Sequence, residues 1–288
     1  MKVALYTRTP NPEATELIAS RLHSRCIETV SISQADCRKL PDHLDALLFV
    51  GGDGTLLSSV HLLGDSNIPV LGVNFGHLGF LTSANRDDAD TLAECLKNGN
   101  YNIETRTLLR VATTHSEDDT KTAACQNSNS EKNSIPEFAL NEVYLHRPIS
   151  SALLRVRVYV DGMYLANYSG DGLIVATPTG STAYSLSCGG PILTPDSGSL
   201  VITPIGAHTL TLRPIVLSDS VTIKLVPDTT QPMMLTLGTD SSSVFVSSHD
   251  EVTISRHTHS LRLIRLPGQN FFTALRNKLL WGAKSQNV

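Results

Sequence analysis

Short apolar runs separated by amphipathic stretches dominate the start of the chain. Lys2 to Thr7, Ile27 to Ile32, Ala46 to Val50 and Ile68 to Val73 are short and bulky, as buried strands are. Between the first two, Asn11-Pro12 opens a helix, with Asn11 as N-cap and Pro12 at the first helical position. Leu17, Ile18 and Leu22 form its apolar stripe. Leu56 to Leu63 reads as a second helix ended by Gly64, and Asp87 starts a third that ends at Gly99. Strands alternating with helices predict a parallel α/β sheet for about the first hundred residues.

The pattern changes near Tyr101. Strands are predicted at 105–114, 138–147, 154–160 and 163–168, the last two joined by an Asp161-Gly162 hairpin turn. More follow at 173–177, 200–204, 209–217, 221–226, 234–238, 244–247, 251–255 and 261–266, with helix only around Ser181–Ser187. This half is read as a β-rich, sandwich-like domain. His115 to Ser134 is crowded with polar residues and is read as a mobile insertion between strands. Asn270 to Trp281 is a last amphipathic helix, placed against the first domain. The predicted division is 1–104, 105–267 and 268–288, with no internal repeat and no linker.

One turn stands out. Gly51-Gly52-Asp53-Gly54-Thr55 joins the Ala46–Val50 strand to the next helix, at the carboxyl edge where open α/β sheets bind ligands. Glycines let backbone approach an anion, and the helix start favours negative charge. An aspartate there suits a metal or a proton-yielding nucleophile. A tight turn whose Asp bonds its own backbone explains the pentapeptide equally well. No Gly-Lys-Ser/Thr follows, so it is not a P-loop.

Two stretches of the β-rich half are unusual for strands. Asn141-Glu142 puts polar side chains on both faces of an apolar strand, which requires either partners or an edge in water. Ser169-Gly170-Asp171-Gly172 leads through Thr177-Pro178-Thr179-Gly180-Ser181-Thr182 to Ala183-Tyr184-Ser185-Leu186-Ser187. Its hydroxyls, helix start and Tyr184 suit a nucleotide's hydroxyls and base, against the simpler reading of a capped Ser/Thr turn.

Composition narrows the function. The net charge of −4 offers no general basic field for nucleic acid, and no stretch has the length and apolarity of a membrane span. The start runs straight into a strand without a signal-peptide layout. Cys26, Cys37, Cys95, Cys125 and Cys188 are odd in number and unpaired in spacing, and they read as free thiols of a reducing cytoplasm.

In order and spacing, Gly51–Thr55, Asn74–Phe80, Asn141-Glu142, Gly170-Asp171-Gly172 and Thr177–Tyr184 resemble the NAD kinase family. Pro204–Leu217, with His208 and Arg213, and the tail from Phe271 to Gly282 resemble it too, so the likeness covers nearly the whole chain outside His115–Ser134. Gly-Gly-Asp-Gly alone is shared with lipid kinases and phosphofructokinases. The resemblance implies a phosphofructokinase-like α/β domain followed by a β-rich dinucleotide-binding domain. It implies transfer of the γ-phosphoryl of ATP, or of phosphate from polyphosphate, to the adenosine-ribose 2′-hydroxyl of NAD. Asp53 is then the proton acceptor. Gly54 approaches the dinucleotide and phosphates, and Asn141 and Glu142 hold the adenosine. Asp171 meets the nicotinamide end. Thr182, Ala183, Tyr184 and Ser187 line the pocket, with Phe80, Ser169, Ser185 and Leu186 as further binding residues. The dinucleotide is expected between the two halves. A divalent cation, Mg²⁺, is implied, with no dedicated protein metal site, as are a cytoplasmic location and a homodimer or homotetramer. Three departures stand at Ser58, at Ser169, where a basic residue is frequent, and at Asp240-Ser241-Ser242, where Asp-Gly-Gln is frequent. A diacylglycerol- or sphingosine-type lipid kinase is the alternative enzyme, and a non-catalytic dinucleotide sensor the alternative binding protein. Activity on NAD against lipid micelles, and NADP formation against bare binding, separate them.

Overall fold

The structure, a computed structural model, describes residues 1–33, 40–76, 79–114, 138–149, 151–209, 211–228, 233–240 and 242–282. The polar insertion expected at 115–134 lies outside these, as do Cys37, Cys125, His77 and Leu78. The chain forms two compact units, Met1–Arg106 with His259–Val288, and Thr107–Thr258.

The first unit is the expected α/β layer. It runs β1 (Lys2–Thr7), α1 (Pro12–His23), β2 (Glu28–Ser33), β3 (Ala46–Val50), α2 (Asp53–Leu63), β4 (Val70–Asn74), β5 (Thr82–Asn85) and α3 (Ala89–Asn98). The strand order is β2-β1-β3-β4, all parallel, with β5 parallel to β4. Val3, Leu5, Leu48, Leu71 and Val73 pack with Ile18 and Leu22 of α1 and Leu92 and Leu96 of α3. Ala4, Tyr6, Leu47 and Phe49, at the alternate positions, are buried as well, so both sheet faces are covered. Asn11 caps α1 by accepting the Ala14 N–H at 3.1 Å. The helix Phe271–Leu279, capped by Asn270, packs on this unit through Phe271, whose ring lies 6.2 Å from that of Phe80.

The second unit is a sandwich of antiparallel sheets. One has six strands in the order Ile215–Ser218, Ser199–Ile205, Gly172–Ala176, Glu142–His146, Met234–Thr239 and Ser242–Ser247. The other pairs Met163–Gly170 with Leu154–Val160, that with Ile223–Pro227, and that with the first part of Glu251–Arg265. Val143, Leu173, Leu200 and Leu237 from the first sheet meet Val156, Val158, Leu225 and Ile254 from the second. Asp161 and Gly162 make the hairpin turn, both with positive φ.

Several expected elements differ. The strand at 138–147 is broken into Phe138–Ala139 and Glu142–His146, because the amides between them turn to a side-chain acceptor. Asn141 therefore sits in the break, outside both strands. The strand at 209–217 shrinks to Ile215–Ser218, just after Pro214, which has no N–H for a ladder. The strands at 251–255 and 261–266 are one, Glu251–Arg265, since the polar residues between them include no Gly, Pro, Asn or Asp to break it. The helix at Ser181–Ser187 divides at Ala183 into a 3-10 turn, Gly180–Thr182, and one helical turn, Tyr184–Ser187. β5 was not expected, since Thr82-Ser83-Ala84-Asn85 carries little apolar signal.

Candidate active site

In the first unit, the chain after β1 turns toward β2 on one side, while β3 lies on the other. Strand order reverses there, and the carboxyl ends of β1 and β3 leave a crevice. Residues 8–11, Val50, Gly51, Gly52, Gly54 and Thr55 line a cleft of about 470 Å³ at this point. The Gly51–Thr55 turn thus borders the ligand edge of the sheet. Sequence reading missed Arg8 and Thr9, because the reversal depends on which strands pair, and no local pattern states it.

Asp53 is the first residue of α2, with Gly52 as N-cap. Its carboxylate accepts two backbone amides: Phe80 N–H donates to Oδ2 at 2.9 Å and Leu81 N–H to Oδ1 at 3.1 Å. Each oxygen keeps a further lone pair, so the carboxylate is aimed and can still accept. The turn itself closes through Thr55 N–H on the Gly52 carbonyl at 2.9 Å, while the Asp53 side chain bonds a distant segment and not its own backbone. Gly79 lies so close that a Cβ there would collide with the carboxylate. Phe80 contributes its amide to Asp53 and its ring to Phe271. Gly54 has open space where a side chain would stand.

In the second unit, Asp240 carries out a similar clamp. Leu140 N–H donates to Oδ2 at 2.6 Å, and Asn141 and Glu142 N–H to Oδ1 at 2.8 and 3.3 Å. Sequence reading treated Asp240 only as part of a departure, because its partners are a hundred residues away. Thr177 adds two bonds to the same segment, donating its hydroxyl to the Leu140 carbonyl at 2.6 Å and its N–H to the Asn141 carbonyl at 2.8 Å. Gly180 lies against that Asn141 backbone with no room for a Cβ. Asn141 and Glu142 are both buried. Glu142 Oε2 has no hydrogen-bond partner among the described residues. Burial, with the Asp240 charge second, pushes the Glu142 carboxyl up to about 8.

The hydroxyls of the Thr177–Ser187 stretch are mostly committed to the scaffold. Ser181 donates to the Pro178 carbonyl at 2.6 Å, Thr182 to the Thr179 carbonyl at 3.0 Å, and Ser185 shares a 2.8 Å bond with Thr203. Ala183 leaves the helical path, and the N–H groups of Leu186 and Ser187 return to its carbonyl. Tyr184 stands edge-on to Tyr144 at 5.9 Å, and burial raises its phenol. Burial, then the Glu142 charge, raises the Cys188 thiol. Asp171 lies between strands, its Oδ1 accepting Arg147 Nε at 2.8 Å and Nη2 at 2.7 Å. The Ser169 carbonyl accepts the His208 N–H at 2.9 Å.

Comparison with known proteins agrees over both units. Residues 5–101 match the family model ATP-NAD kinase N-terminal domain, and residues 140–266 the ATP-NAD kinase C-terminal domain. The chain is 39% identical over 248 residues to an NAD kinase of Flavobacterium johnsoniae, covering 86% of this chain and 80% of that one. It is 41% identical over 244 residues to an NAD kinase of Porphyromonas gingivalis, covering 85% and 78%. Its fold is similar to that of yeast NADH kinase complexed with NADH, with TM-score 0.82, 21% identity and coverage of 100% and 89%. It is also similar to an NAD kinase from Archaeoglobus fulgidus in complex with ATP, with TM-score 0.74, 22% identity and coverage of 98% and 98%.

Proposed function

The chain belongs to the ATP-NAD kinase family, and on that footing we propose that it phosphorylates the 2′-hydroxyl of the adenosine ribose of NAD, giving NADP. The observation that carries the mechanism is the Asp53 carboxylate, fixed by two amides at the start of α2. As the hydroxyl oxygen attacks the γ-phosphorus of ATP, the bond from that phosphorus to the bridging oxygen breaks, ADP leaves, and the hydroxyl proton passes to Asp53. Positioned base catalysis of this kind supplies about 10²–10⁴-fold. Phosphoryl transfer otherwise asks mainly for placement and charge stabilisation. The cleft beside Gly51–Thr55 suits the donor's phosphates, with Arg8 as a cation and α2's amides as donors.

Among the described residues no group of three or more His, Cys, Asp or Glu stands at the glycine turn. Mg²⁺ is commonly carried by substrate phosphates with one or two carboxylates, and the Asp53 carboxylate at the start of α2 fits that role. Asp53 is the carboxylate placed to share it. When bound, the ion neutralises charge developing on the transferred phosphoryl group.

In the second unit, Asn141 and Glu142 hold the adenosine. Glu142's unpartnered oxygen is where a ribose hydroxyl or adenine amino group donates. Tyr184, Thr182, Ala183 and Ser187 shape the pocket, and Asp171 meets the nicotinamide end. ATP is the donor, with polyphosphate the second donor to test. The assembly this reading carries is a homodimer or homotetramer. The thiols of Cys26, Cys95 and Cys188 support a reducing cytoplasm.

The test is direct. Purified protein, NAD, Mg²⁺ and either donor are mixed, and NADP is read by a dehydrogenase specific for it. NADP formation supports the assignment. NAD binding without NADP formation from either donor would make the protein a sensor.

A further inference from the structure

The segment that aims Asp53 is itself gripped on its other side. Arg265 donates from Nη2 to the Phe80 carbonyl at 2.8 Å, and from Nη1 to the Thr82 carbonyl at 3.4 Å and Ser83 Oγ at 3.3 Å. Ser83 Oγ in turn donates to the carbonyl of Ile264, Arg265's neighbour, at 2.8 Å. Arg265 is only 7% exposed, in the core of its unit.

The bonds at the Phe80–Leu81 peptide are informative. Its carbonyl oxygen accepts Arg265, and its N–H donates to Asp53 Oδ1. A peptide group is rigid and planar. A cation thus bonds one end of this plane and an anion the other. Both bonds polarise the amide in the same sense, and each strengthens the other.

Arg265 is fixed in turn. Its Nε donates to Glu104 Oε2 at 2.7 Å, and Glu104 Oε1 pairs with Arg106 Nη2 at 3.0 Å. Burial alone would raise the Glu104 carboxyl, but Arg106 and Arg265 outweigh it and hold it below its ordinary value. Glu104 thus stays ionised at neutral pH between the two guanidiniums.

We propose that Arg265, anchored by Glu104, is a positioning residue that sets the Asp53 carboxylate through the Phe80–Leu81 peptide. This rests on the reading of Asp53 as proton acceptor. Arg265 does not touch substrate; it decides whether the acceptor lies on the line of proton transfer. Misplacement of about 1 Å there costs on the order of 10²-fold in rate.

The experiment compares Arg265→Lys, Glu104→Gln and Asp53→Asn in the full chain. For each, kcat, KM for NAD and the melting temperature are measured. Lysine keeps a charge for Glu104 but lacks the planar fork that spans Phe80, Thr82 and Glu104. Arg265→Lys is expected to lose about 10–10²-fold in kcat, with KM for NAD nearly unchanged. Glu104→Gln, which frees the guanidinium to shift, is expected to lose about 3–10-fold in kcat. If Arg265→Lys does not fold, Glu104→Gln alone decides. Wild-type kcat in the folded variants, or kcat and KM spoiled together in step with melting, overturns the proposal. If Asp53→Asn is slow while the other two are normal, only the positioning idea falls. If Asp53→Asn is itself normal, the proton-acceptor reading falls and takes this one with it.

Discussion

Gly79 and Asp53 are fitted to one another: a methyl group on Gly79 would stand where the Asp53 carboxylate lies. The same Gly79 donates its N–H to Thr82 Oγ1 at 2.6 Å, which bends the segment so that the next two amides reach Asp53. Aiming the acceptor therefore requires a residue without a side chain 26 positions away. Gly79→Ala is expected to push the carboxylate aside and lower kcat on the order of 10²-fold, with NAD affinity nearly kept. Steady-state kinetics with calorimetric NAD binding checks this. A normal kcat would show that the carboxylate's placement is unimportant.

Arg8 is the exposed cation of the cleft at the strand-order reversal. Arg8→Ala is expected to raise KM for ATP roughly tenfold, the size of one lost charged hydrogen bond at its weaker end. KM for NAD should stay the same. Initial-rate kinetics with each substrate varied separates the two. An effect confined to NAD would move the donor's phosphates away from this cleft.

Glu142 sets a pH dependence of stability. Its folded-state carboxyl titrates near 8, raised from an ordinary value near 4.3, so between about pH 4.3 and 8 the folded chain holds more of this proton than the unfolded chain. Stability from this group therefore falls as pH rises through that window and levels off above it. Glu142→Gln removes the effect. Relative to wild type, its melting temperature should gain by pH 8–9 compared with pH 5. An equal difference at both pH values would contradict the buried, unpartnered carboxylate.

Asp240 takes three amides from Leu140, Asn141 and Glu142. Asp240→Asn replaces an acceptor with an N–H₂ facing donors, at a cost of about 1–3 kcal/mol. Urea unfolding measures that loss. KM for NAD should rise more than kcat falls, because the displaced segment binds and does not react.

The α/β unit was readable because its strands are continuous apolar runs and its helices carry caps: Asn11, Gly99 and Asn270 all end or start helices where their chemistry requires. The glycine turn was readable for the same local reason. The clamps were not. Asp53 meets Phe80 and Leu81, Asp240 meets Leu140, and Arg265 meets Glu104 across separations of 27 to 161 residues, and no periodicity encodes such pairings. The Thr177–Ser187 hydroxyls left two readings open, ligand groups or a capped Ser/Thr turn; the Ser181 and Ser185 hydroxyls are turned inward to hold the turn. A Ser or Thr can satisfy its own backbone as readily as a ligand, and only coordinates tell which.

The most direct measurement is single-turnover NADP formation by Asp53→Asn at saturating NAD, ATP and Mg²⁺, alongside the NAD dissociation constant. The account predicts a rate lower by about 10²–10⁴-fold with binding nearly intact. A rate close to wild type would contradict it, since the ribose hydroxyl would then be losing its proton to some other group.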